Sequence, residues 1–67
     1  HVADALHDTA PDLFDSSNMY VVARWICDLA DCSDDGITAA ISFFAGPLPA
    51  WRQWALLQAV RQAILSA

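Results

Sequence analysis

Apolar residues recur at helical spacing along most of this chain, and polar residues gather where that spacing breaks. The first stretch, Val2 to Thr9, is short, with Val2, Ala5 and Leu6 on one side. Pro11 interrupts it and can open a one-turn helix through Asp12, Leu13 and Phe14, because proline suits a first helical turn. A second helix is expected from Ser16 to Asp31, with Asp15 as N-cap and Phe14 packing on Met19 as a hydrophobic staple. Met19, Val22, Trp25, Ile26 and Leu29 fall on its core face, and Arg24, Asp28 and Asp31 share the other face with Tyr20 and Cys27. Ser33 or Asp34 caps a third helix, whose buried stripe is Ile37, Ala40, Ile41 and Phe44. Gly46-Pro47 stops it, since glycine accepts a positive φ and proline cannot extend a helix. The fourth helix starts at Pro49 or Ala50 and runs towards Ser66 without a side-chain N-cap. One of its faces carries Leu56, Leu57, Val60 and Ile64. Trp51, Trp54 and Leu65 lie on another flank with Gln58 and Arg61. No stretch alternates with a strand's period of two. The pattern predicts an all-α domain spanning residues 1–67: a small bundle of three main helices plus a short N-terminal helical segment.

Composition sharpens this picture in one respect. Of the 67 residues, 57% are hydrophobic and 16% charged, against about 45–50% and about 25% in ordinary domains. Disordered chains have the opposite bias. The longest weakly polar run, Gly36 to Trp51, contains Pro47 and Pro49 and is shorter than the roughly 20 residues of a membrane span. A chain of this size buries only about 60% of its unfolded surface. More apolar material is present than a lone domain readily hides.

Charge is distributed unevenly. Eight aspartates and Arg24 give residues 1–35 a charge of −7, whereas Arg52 and Arg61 give residues 36–67 a charge of +2. Binding to nucleic acid rests chiefly on neutralising phosphates, so three cations in a chain of net charge −5 argue against it. A helix-turn-helix reading is the runner-up: the third and fourth helices joined by Gly46-Pro47-Leu48-Pro49, with Arg52, Gln53 and Gln58 facing bases. The chain opens on His1 rather than Met, the mark of a processed product, an excerpt or an added residue. No charged-then-apolar leader is visible.

Candidate chemistry is sparse. Asp31-Cys32-Ser33-Asp34-Asp35-Gly36 places oxygen side chains (Asp31, Ser33, Asp35) and a glycine as a calcium-binding EF-hand loop does. It departs where the bidentate glutamate belongs, at Ser42, and where an apolar residue belongs, at Thr38. Capping of the third helix accounts for the same residues, and a cation-binding domain is the second alternative. Asp15-Ser16-Ser17 resembles the Asp-Ser pair that carries phosphopantetheine in carrier proteins, but it lacks the following leucine and the long preceding segment. His1 and His7 sit six residues apart without a third ligand nearby in sequence. Cys27 and Cys32 have Asp28 and Asp31 as neighbours, and nearby anions raise a thiol's pKa. Their positions on a helix continuing to Asp31 would point the sulfurs apart, so no disulfide between them is expected.

No enzyme, cofactor or metal site is therefore expected. The pattern points instead to a protein–protein interaction module, or a small helical subunit of a larger or homo-oligomeric assembly. Its partner is another protein chain or a second copy, with no nucleic acid and no membrane span. The binding residues are Trp51, Trp54, Arg61 and Leu65, since Trp and Arg are enriched among residues that dominate binding energy.

Overall fold

The structure, a computed structural model, describes residues 2–31 and 33–66. Three-quarters of the described residues lie in four α-helices, and none lies in a strand. The helices are α1 (Val2–Thr9), α2 (Met19–Ala30), α3 (Asp34–Ala45) and α4 (Ala50–Leu65). Each packs on two others: α1 on α2 and α4, and α3 on α2 and α4. The result is a closed ring of helices around one core, so every helix keeps an outward face.

α1 is short, yet its Ala3 and Leu6 are completely buried and Val2 nearly so. Ala10 N–H continues the helix to the Leu6 carbonyl at 2.9 Å, and the N–H groups of Leu13 and Phe14 both donate to the Ala10 carbonyl. The turn expected at Pro11 is thus formed, and it swings Phe14 into the core.

α2 begins three residues later than its pattern suggests. The Asp15 carboxylate accepts the Ser17 N–H at 2.9 Å as well as the Ser17 hydroxyl, and the Asp15 carbonyl accepts from Asn18 and Met19. Short Asp and Ser side chains compete for nearby backbone groups in this way. They spend the first turn on a local hydrogen-bonded loop instead of a helix. Asn18 takes the cap position without capping, its amide reaching back to the Leu13 carbonyl at 3.2 Å. At the other end Asp31 adopts φ 47°, so the helix stops at Ala30.

The buried face of α2 also differs from expectation. Val22 and Ile26 are fully buried, but their companions are Ala23 and Ala30. Leu29 is 64% exposed, and Trp25 is only half-buried. The reason is the close approach of α3. A Cβ at Gly36 would lie 2.7 Å from Ala30 Cβ, so the two small residues let the helices touch and turn Leu29 outward.

α3 is capped as expected. The Ser33 hydroxyl accepts the Gly36 N–H at 3.3 Å and donates to the Ala30 carbonyl at 2.9 Å, and Asp34 and Asp35 sit at the helix's positive end. Ile37, Ala40 and Ile41 are buried, whereas Phe44, in the last turn, is exposed. Gly46 ends the helix at φ 76° and ψ −167°, donating to the Ser42 carbonyl. α4 starts after Pro49, whose carbonyl accepts from Arg52 and Gln53. It buries Leu56 and Val60 fully, with Leu57 and Ile64 packed on the core's edge.

The exposed surface is 4110 Å², against roughly 4,200 Å² for a monomer of this mass. The chain has collapsed fully by itself. Among the described residues, no helix is long and apolar enough to cross a membrane.

Candidate functional site: the outer stripe of α4

Helical rotation sorts the side chains of α4 into three sets. Leu56 and Val60 point to the core. Arg52 lies on the α1 side, paired with Asp12 in the turn after α1, and Ala55, Ala59 and Ala63 follow it at helical spacing. The third set faces outward. Trp51 is 71% exposed, Trp54 65% and Leu65 78%, with half-buried Gln58 between them and exposed Arg61 near the far end. The structure therefore brings all four sequence-predicted residues, Trp51, Trp54, Arg61 and Leu65, onto one surface. None of the three apolar members belongs to the core.

Two shallow depressions, each about 220 Å³, open where this stripe borders α3. Thr38, Ala50, Gln53, Trp54 and Leu57 line the first; Asp34, Arg61, Ile64 and Leu65 line the second. They lie towards opposite ends of α4. Arg61 is held by Asp34 at 3.2 Å, which ties the start of α3 to the last turns of α4.

The electrostatics of the surroundings are simple. Arg24 pairs with Asp28 on α2 at 3.5 Å, so each arginine has an aspartate partner. The Arg52 guanidinium holds the Asp12 carboxyl below the usual carboxylate range, and the Ser17 hydroxyl and N–H do the same for Asp15. Of the three residues expected to face bases in a helix-turn-helix, Arg52 is thus engaged within the fold, and Gln53 donates to the Leu48 carbonyl at 3.4 Å.

Within the stretch that would form a cation-binding loop, residues 34–36 are helical. Asp34, Asp35 and Gly36 form the first turn of α3, and the Ser33 hydroxyl is occupied in capping it. Gly36 serves close packing, not a turn. Among the described residues, no group of three or more metal-binding side chains converges. His7 and Cys27 are both half-buried; His1 and Cys32, and with Cys32 the disulfide question, lie outside the described residues.

Sequence reasoning missed a second apolar surface. Trp25, Phe43 and Phe44 form a cluster with ring centroids 5.0–5.6 Å apart, Phe44 meeting both neighbours edge-on. Phe43 is 76% exposed. The signal is present in the sequence, since Phe43 falls off the Ile37–Ile41 stripe by helical rotation. Hydropathy alone assigns such aromatic residues at a helix end to the core. No family model, curated protein or solved structure matches this chain.

Proposed function

We propose that this chain is a protein–protein interaction module or small helical subunit that binds through the outer stripe of α4. The observation that carries the reading is the exposure of Trp51, Trp54 and Leu65 together on the outer side of one helix. Burying a large apolar side chain contributes about 1.5–3 kcal/mol, so a partner covering all three recovers a substantial free energy. Exposed apolar surface of the kind formed by Trp51 and Trp54, one turn apart, is a usual mark of an interaction site. Internal pairing of each arginine supports this reading over nucleic-acid binding, because phosphate contacts would have to displace aspartates. No group in the stripe has the acid–base or nucleophilic character of an enzyme site.

Paired substitutions test it. Trp54→Ala should leave the melting temperature nearly unchanged and abolish the native complex, read as mass above the 7.3 kDa chain. Leu56→Ala, at a fully buried position, should cost about 2–5 kcal/mol of folding stability. If Trp54→Ala unfolds the chain and Leu56→Ala does not, the roles are reversed and the reading fails.

A further inference from the structure

We draw no further inference here: the strongest candidate, the exposed aromatic patch that Trp25 of α2 forms with Phe43 and Phe44 of α3, is an unpartnered apolar face, and nothing in the structure shows what covers it.

Discussion

Gly36 and Gly46 are glycines for opposite physical reasons, and the two sites respond differently to an added methyl group. At Gly36 the backbone is helical and the obstacle is space: a Cβ would lie 2.7 Å from Ala30 Cβ and 2.8 Å from its Cα. Helix propensity favours Gly36→Ala by about 1 kcal/mol, but overpacking at backbone range costs about 1–3 kcal/mol. The methyl cannot be accommodated by a flexible side chain, so the steric term wins and urea unfolding should show a net loss. At Gly46 the space is open, with nothing within 4 Å, and the obstacle is the backbone. Its φ of 76° with ψ of −167° lies outside the left-handed helical well that asparagine tolerates. Gly46→Val should therefore lower stability by about 1 kcal/mol or more, and Gly46→Asn should not rescue it. A Gly46→Asn variant as stable as the parent would show that the loop relaxes into the ordinary left-handed conformation.

At the level of elements, most of the architecture was legible because the helices announce themselves through periodicity and punctuation. Ser33 and Gly46-Pro47 mark α3 correctly at both ends, and the stripe of Leu56, Val60 and Ile64 fixes how α4 is turned. What was not legible depended on neighbours. Phe14 has the sequence position of a staple at the start of α2, yet it is a fully buried core residue delivered by the turn after α1. Leu29 has helical spacing suited to the core, yet the contact of Ala30 with Gly36 rotates α2 so that alanines face inward. Small residues win such positions when they let two backbones approach, and hydrophobicity alone does not register that advantage. The α4 stripe was legible for a related reason. A helix with two apolar faces in a chain this short leaves one of them uncovered, and the ring of helices shows which one.

For the molecule as a whole, the ion pairs explain how acid should act on it. Arg52–Asp12 joins the start of α4 to the turn after α1, and Arg61–Asp34 joins its far end to α3. Both pairs are partly exposed, so they locate α4 in the ring more than they stabilise it. Asp12 has the clearer signature, because the Arg52 hydrogen bond lowers its pKa from the usual value of 3.8. A carboxyl with a lowered folded-state pKa contributes stability that is fully present above its unfolded pKa and disappears as pH falls through the folded value. Lower pH also relieves the repulsion within a chain of charge −5, an opposing effect that would blur any single melting curve. Comparison with Asp12→Asn removes the ambiguity. The parent should melt higher than Asp12→Asn at neutral pH, and the gap should hold above the ordinary carboxylate range and close only as pH falls through the lowered folded-state pKa of Asp12. Since the two proteins differ only at Asp12, the closing gap reports the Asp12–Arg52 pair itself. Curves that stay parallel to the acid limit would show that the Asp12→Asn variant is weaker for a reason other than charge. Curves that diverge on acidification would mean that the carboxylate is better stabilised in the unfolded chain, and that this pair does not hold α4 against the turn.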